Sequence, residues 1–351
     1  MTRVLILSAS VGAGHEVPAR ALANGLAARD PEGTVEIVDT LDVLSRAVQR
    51  VAEDEFRRTF GSGRMNWVFD TQYLLFARTA PTRALGQFFL HRISRGRLLA
   101  AIEERRPDVI VSTYPIATDV LGHLRRSGRL RTPAVAAITD LSALRYWASP
   151  GIDLHLLTHP ESEAEVRSIA GPGRVVAARG LHDERFLEPH DPAAARAALG
   201  VEPPVVMVSG GGWGVGDVAG ASRIAAEQAN VIVLAGHNER LLELTNVRVL
   251  PFVHDFASVL AAADVLVHAT AGLTILEALL VGCRPISYGW DVGHVRVNNR
   301  AYERTGLARV ARSEDELRGA IAAALREPGV PQAERHRQLP HAADLVLELT
   351  R

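Results

Sequence analysis

Lysine is missing from all 351 residues, so the 39 basic side chains are arginines. Without lysine the chain cannot form a Schiff base with a carbonyl substrate or supply the phosphate-binding lysine of a P-loop. Cysteine is nearly absent: Cys283 stands alone, which excludes an intramolecular disulfide and a cysteine-cluster zinc site and fits a reducing compartment. No window approaches the ~20 consecutive apolar residues of a membrane-spanning helix. The first apolar run is only a few residues long and is soon followed by glycine-rich and acidic sequence, unlike a secretory signal. An excess of either charge is lacking too. The formal net charge of −1 gives no overall attraction to nucleic acid or anionic lipid, so such attraction needs a local patch. These absences predict a cytoplasmic protein with no nucleic-acid partner and leave open a peripheral contact with the inner face of a membrane.

What is present is enough apolar sequence for two cores, since 47% of the residues are hydrophobic and the chain is too long for one ordinary core. Short β-branched runs alternate with longer stretches of helical spacing, the pattern of βα units on parallel sheets. One series of strands is expected at 4–7, 35–38, 109–112, 134–138, 154–157 and 175–177. A second is expected at 205–209, 231–235, 247–250, 265–268, 285–288 and 308–311. The proline-rich, acidic stretch LEPHDPAAARAALGVEPP between them suits an interdomain connection. The expected division is a first Rossmann-like domain over 1–188, a second over 189–330, and a helical tail over 331–351.

Each half opens with a glycine turn directly after its first strand: Gly12-Ala-Gly-His15 in one and Ser209-Gly-Gly-Gly-Trp-Gly-Val-Gly-Asp217 in the other. Neither is a full dinucleotide fingerprint, because Val17 stands where the third glycine of the first turn would be. Val38-Asp39 comes near the acidic position of that pattern, so a nicotinamide or flavin reading stays open. Such turns aim backbone N–H groups, here those around Gly12 and Gly14 and around Gly210, Gly211 and Gly212, at an anionic group above the strand end. Two Rossmann-like halves with facing strand ends would grip one ligand between them.

The stretch HATAGLTILEALLVGCRP, from His268 to Pro285, runs from a strand through small residues into a helix. Small side chains there let a pyrophosphate approach the first N–H groups of the helix, where the dipole favours negative charge. Glu277, one turn on, can accept two hydroxyl hydrogen bonds from a ribose. The same Thr274-x-x-Glu277 spacing is a capping box, and spacing alone does not separate the two readings.

These motifs together resemble the GT-B glycosyltransferases of the group containing monogalactosyldiacylglycerol synthases, diacylglycerol glucosyltransferases and the peptidoglycan GlcNAc transferase. The resemblance rests on GAGH (Gly12 to His15), TDL (Thr139 to Leu141) with Trp147 and Asp153 after it, and Gly180 with Phe186. It continues through SGGGWGVGD, AGHNERL, VLPFVHDFASVLAAADVLV and AGLTILEALLVGCRPI, and so covers nearly the whole chain. It implies a donor nucleotide sugar held by the second domain, with Phe252 and Val253 against the base, Glu277 on the ribose, and the turn Ala271, Gly272, Leu273, Thr274 facing the diphosphate beside Gly210 to Gly212. Trp213 and His237 fall in the matching motifs and join the donor contacts, as do Gly12 and Gly14. Asp291 and His294 are expected near the sugar. Gly293-His294-Val295 departs from the glycine–glutamine–glutamate usual in these relatives, so the sugar is not assigned.

On this reading His15 takes the proton of an acceptor hydroxyl as its oxygen attacks the anomeric carbon, in a single inverting displacement. Asp140, after the strand 134–138, is the rival base. His15 reads equally as a residue that bonds the backbone or positions the sugar phosphates, and Asp140 as a cap. No metal and no cofactor beyond the donor are expected to be required, since dipoles and glycine amides can stabilise the departing diphosphate. The acceptor is a lipid such as diacylglycerol or a soluble secondary metabolite. The aromatic and arginine-rich segment from Asn66 to Ile93 reads either as a membrane-facing element or as core with solvated arginines opposite. Two other functions share the scaffold: a nucleotide-sugar 2-epimerase, and a binding protein with decayed catalytic machinery.

Overall fold

A computed structural model describes residues 1–10, 13–44, 80–269 and 272–351. By internal contacts the chain forms two units, Met1–Asp183 together with Leu339–Arg351, and Glu184–Gln338. The division falls at 183/184, before the expected boundary at 188. The last residues are not a separate tail but part of the first unit.

Among the described residues the first unit carries six parallel strands, β1 (Arg3–Ser8), β2 (Thr34–Asp39), β3 (Val109–Ser112), β4 (Ala134–Ile138), β5 (Leu154–Leu157) and β6 (Arg174–Ala177), in the order β2-β1-β3-β4-β5-β6. All its pairings are parallel, with Val4 opposite both Val35 and Val109. Successive side chains point to opposite faces of a strand, and in the inner strands β1, β3, β4 and β5 both faces are covered. Leu5 and Leu7 join one core with Ile110, Ala136 and Ile138. Val4 and Ile6 join the other with Val111, Val135 and Ala137. That is why these strands read as continuous apolar runs rather than as alternation.

The second core of this unit is completed by the chain's end: Ala342, Ala343, Leu345 and Val346 of the helix Ala342–Glu348 pack into it. Arg29 bonds Asp344 at 2.6 Å. The amide of Ala342 donates to the Arg179 carbonyl at 2.9 Å. No composition signal near 331–351 announces this return, because its partners lie in the first half of the sequence.

The second unit repeats the architecture with β7 (Val205–Ser209), β8 (Asn230–Leu234), β9 (Arg248–Leu250), β10 (Val265–His268), β11 (Arg284–Ser287) and β12 (Arg309–Val310), in the order β12-β11-β10-β7-β8-β9. All twelve strands fall within two residues of where the apolar runs place them. Cys283, just before β11, is buried, and burial pushes its thiol well above the usual range, which makes it inert rather than reactive.

Among the described residues no helix is long and apolar enough to cross a membrane. The helix Ala80–Arg105 turns Ser94, Leu98 and Ile102 inward and leaves Leu85, Phe88, Phe89 and Ile93 exposed. The aromatic residues from Trp67 to Phe76 lie outside the described residues.

Candidate functional site

In an open parallel sheet the crevice for a ligand forms where neighbouring strands send their connections in opposite directions. In the first unit that point lies between β1 and β3, because β2 adds to one side of β1 and β3 to the other. His15 stands there, in the first turn of the helix Ala13–Arg29 that follows β1. Its Nδ1 lies 2.9 Å from the carbonyl oxygen of Thr113, the residue after β3. A carbonyl can only accept, so Nδ1 carries the proton and Nε2 is the basic nitrogen of the neutral ring.

The histidine's own carbonyl accepts from Ser8 Oγ at 3.0 Å and Thr113 Oγ1 at 2.9 Å. The first helical turn is thus tied to the ends of both strands. Tyr114 meets the imidazole edge-on with ring centres 5.1 Å apart, and Trp147 lies 5.6 Å away. The indole Nε1 of Trp147 donates to Asp140 Oδ2 at 3.2 Å. One aromatic ring therefore joins the two candidate bases, His15 and Asp140. Gly14 is exposed, and a Cβ built there meets nothing within 4 Å, so the helix start has open space beside it. Gly12 lies outside the described residues.

The second unit has its switch point between β7 and β10. Both glycine-rich segments expected to face a diphosphate start at these strand ends. After β7 the turn Gly211–Trp213 is tightly folded: a Cβ on Gly210 would lie 2.3 Å from the backbone nitrogen of Val215, so only glycine fits. The amide of Gly211 donates to Ser209 Oγ at 3.1 Å, and the carbonyl of Gly212 accepts from the His237 amide at 2.8 Å. At the end of β10, His268 is buried with Nδ1 3.1 Å from the Ser209 carbonyl, and burial lowers its pKa to about 4.

The helix after β10 spans Leu273–Val281 and is capped by Gly272, with φ 100° and ψ −145° and no side-chain cap. That backbone conformation is open to glycine alone. Thr274 is consequently the second residue inside the helix, not its N-cap, and the capping-box reading of Thr274 and Glu277 is excluded. Thr274 is half-buried, and Glu277 is 6% exposed among Leu273, Ile275, Leu276 and Ala278. Ala271 lies outside the described residues.

Loops after β7, β8 and β9 line up further aromatic groups. Trp213 and His237 have ring centres 5.6 Å apart. His237 stacks on Phe252 at 4.4 Å with planes 13° apart, and His254 meets Phe252 edge-on at 5.2 Å. Trp213 is 45% and Phe252 39% exposed, and Val253 beside Phe252 is half-buried. The result is a partly exposed aromatic cluster at the carboxyl end of the sheet, able to pack against a planar ring.

Beyond β11, Asp291 is held by the protein itself. Its Oδ1 accepts from Asn299 Nδ2 at 2.8 Å, and Arg312 and Arg296 lie 3.6 and 3.8 Å from Oδ2. His294, in the first turn of the helix Gly293–Thr305, is half-buried, and its carbonyl accepts from Asn298. Among the described residues no three acidic, histidine or cysteine groups are placed to hold a metal ion. Sequence reasoning gave no role to Thr113, Trp147, Asn299 or Tyr302. Thr113 and Tyr302 meet partners 98 and 30 residues away, and Trp147 meets His15 across the sheet, beyond any local motif, whereas the side-chain hydrogen bonds from Trp147 to Asp140 and from Asn299 to Ser287 and Asp291 span no more than twelve residues and carry no spacing signature.

Comparison with known proteins gives one matching family model, monogalactosyldiacylglycerol (MGDG) synthase, over residues 15–181. A processive diacylglycerol beta-glucosyltransferase of Bacillus subtilis is 23% identical over 98% of this chain and 91% of its own length. The UDP-N-acetylglucosamine--N-acetylmuramyl-(pentapeptide) pyrophosphoryl-undecaprenol N-acetylglucosamine transferase of Salinibacter ruber is 26% identical over 98% and 94%. Among solved structures, the glycosyltransferase SsfS6 of Streptomyces sp. SF2575, complexed with thymidine diphosphate, superposes with a TM-score of 0.60 at 16% identity, covering 99% of both chains. The architecture is the GT-B fold.

Proposed function

We propose that this chain, a GT-B glycosyltransferase similar to the monogalactosyldiacylglycerol synthases, diacylglycerol glucosyltransferases and peptidoglycan GlcNAc transferase, moves a sugar from a UDP-sugar to the hydroxyl of a lipid acceptor such as diacylglycerol. The observation that carries the reading is the coincidence of each unit's switch point with a helix start suited to one half of the reaction: His15 in the first, the Gly272-capped helix in the second.

The diphosphate sits at the amides of Leu273 and Thr274, which lie in the first turn and have no intrahelical carbonyl to bond. Glu277 accepts from the ribose hydroxyls, and the base lies against Phe252 and Val253 beside His237. The acceptor hydroxyl gives its proton to His15 Nε2 while its oxygen bonds the anomeric carbon. The bond from that carbon to the diphosphate oxygen breaks on the opposite face, so configuration inverts. Helix dipole and amides take up the charge of the departing diphosphate without a metal.

A lipid acceptor is supported by the helix Ala80–Arg105, whose exposed Leu85, Phe88, Phe89 and Ile93 share a face with exposed Arg92. No acidic residue precedes Glu103 on it. Apolar side chains at acyl depth with arginines at phosphate level suit an anionic bilayer surface.

The test is incubation of the protein with labelled UDP- and dTDP-hexoses and anionic vesicles containing diacylglycerol. Label in the extracted glycolipid is the expected result. Label moving only to a soluble hydroxyl compound would replace the lipid with a metabolite, a changed sugar without acceptor would make the protein an epimerase, and binding without turnover would leave a binding protein.

Glu277→Gln keeps the volume and removes the charge. Calorimetry with UDP alone should show affinity about 10- to 100-fold weaker, the scale of hydrogen bonds to a charged group; an unchanged Kd would take Glu277 off the ribose.

A further inference from the structure

The helix Gly293–Thr305 presents three polar residues to the interior: Asn298, Asn299 and Tyr302 are all at least 98% buried. Buried polar groups are retained when their bonds orient something. Asn299 can be read without ambiguity. Its amide reaches Asp291, whose carboxylate only accepts, so Nδ2 faces that side, and Oδ1 accepts from Ser287 Oγ at 2.7 Å. Ser287 is the last residue of β11, so Asn299 fixes the Asp291 loop to the end of a strand.

One turn further along, the Tyr302 hydroxyl lies 3.4 Å from the amide nitrogen of Gly272. Gly272 is the capping residue of the Leu273–Val281 helix, and its amide is therefore satisfied inside the protein rather than by a ligand. The bond holds Gly272 at its φ of 100°, and that conformation sets the direction of the next amides, of Leu273 and Thr274. Tyr302 is among the largest fully buried side chains, so its ring has no room to swing away.

We propose that the buried face of the Gly293–Thr305 helix is a positioning element for the donor: Tyr302 aims the diphosphate-binding amides through Gly272, and Asn299 aims Asp291 towards the sugar. The inference rests on the reading of this unit as the nucleotide-sugar site. One rigid helix then sets the spacing between the groups meeting the diphosphate and the group meeting the sugar, which a transferase needs in order to hold the anomeric bond in line. Tyr302 and Asn299 touch no substrate; both act through another residue.

The experiment is calorimetry with UDP and dTDP, paired with donor kinetics and thermal melting of the ligand-free protein. Tyr302→Phe keeps the ring and removes only the hydroxyl. UDP affinity should fall about 3- to 10-fold, the worth of one hydrogen bond, in excess of any change in melting temperature. Asn299→Leu should leave UDP affinity within about twofold, since UDP lacks the sugar, and raise the KM for the UDP-sugar about 3- to 10-fold. Lower melting temperatures with unchanged UDP affinity in Tyr302→Phe and unchanged KM in Asn299→Leu would make both residues merely structural and overturn the proposal. A wild-type protein that binds neither UDP nor dTDP would overturn the donor-site reading itself, a different failure from a wild type that binds and a Tyr302→Phe variant that binds equally well.

Discussion

His15→Ala is expected to lower turnover about 10²- to 10⁴-fold, the range for removing a general base, while UDP affinity stays within about twofold. The expectation follows from the Thr113 carbonyl, which commits Nδ1 to the proton and leaves Nε2 to receive one. Alanine removes the base and the ring's bond to the Thr113 carbonyl, but keeps the two ties that run from Ser8 Oγ and Thr113 Oγ1 to the backbone carbonyl of residue 15. Asp140→Asn, by comparison, retains an acceptor for Trp147 Nε1. It should cost far less than His15→Ala if the carboxylate only seats the indole ring, and as much if the carboxylate is the base. Unchanged turnover in His15→Ala, measured by label transfer with saturating donor, would remove the histidine from the chemistry.

The protein should lose much of its stability between pH 6.5 and 4, and the cause is three buried histidines. His155, His159 and His268 are each no more than 2% exposed, and burial holds their pKa values at about 4 against an ordinary 6.5. Above pH 6.5 the rings are neutral in both states and contribute no difference. As the pH falls from 6.5 to 4 the unfolded chain takes up protons that the folded chain refuses, so stability declines through that window and levels off below it. Each ring accounts for roughly 3 kcal/mol at full effect, so His155 and His159 in the first unit together are comparable with the low end of the ~5–15 kcal/mol total stability of a typical domain. Urea unfolding at pH 7.5 and 5.0 measures the difference. His159→Leu should shrink the first unit's share by about half, because the ring has no partner for its Nε2 and leucine has nothing to protonate. A midpoint independent of pH in the wild type would show that these rings are hydrated in the folded protein.

The two strand series were legible because strands covered on both faces read as unbroken apolar runs, and β1 and β7 show this plainly. The glycine turn after β7 was legible for a different reason: a chain that must leave a strand end tightly has few residues to choose from, and Gly210 packed against Val215 is such a place. The helix after β10 was expected, but its first residue was not. Thr274 and Glu277 carry the spacing of a capping box, and only the backbone at Gly272 excludes that reading. Asp291 was expected beside a sugar, and the structure gives its carboxylate Asn299 and two arginines as neighbours within this chain. The division between units also shifted, since residues 339–351 pack on partners early in the chain.

From residue order alone came the class of fold, the glycine turn after β7 and the histidine at the head of the first helix, since each depends on neighbours within a few positions. The tautomer of His15, its link through Trp147 to Asp140, and the seating of Gly272 by Tyr302 were decided by the sheets. Thr113 meets His15, and Tyr302 meets Gly272, only because parallel strands bring distant strand ends to one edge, and no local pattern of residues encodes which ends will be neighbours.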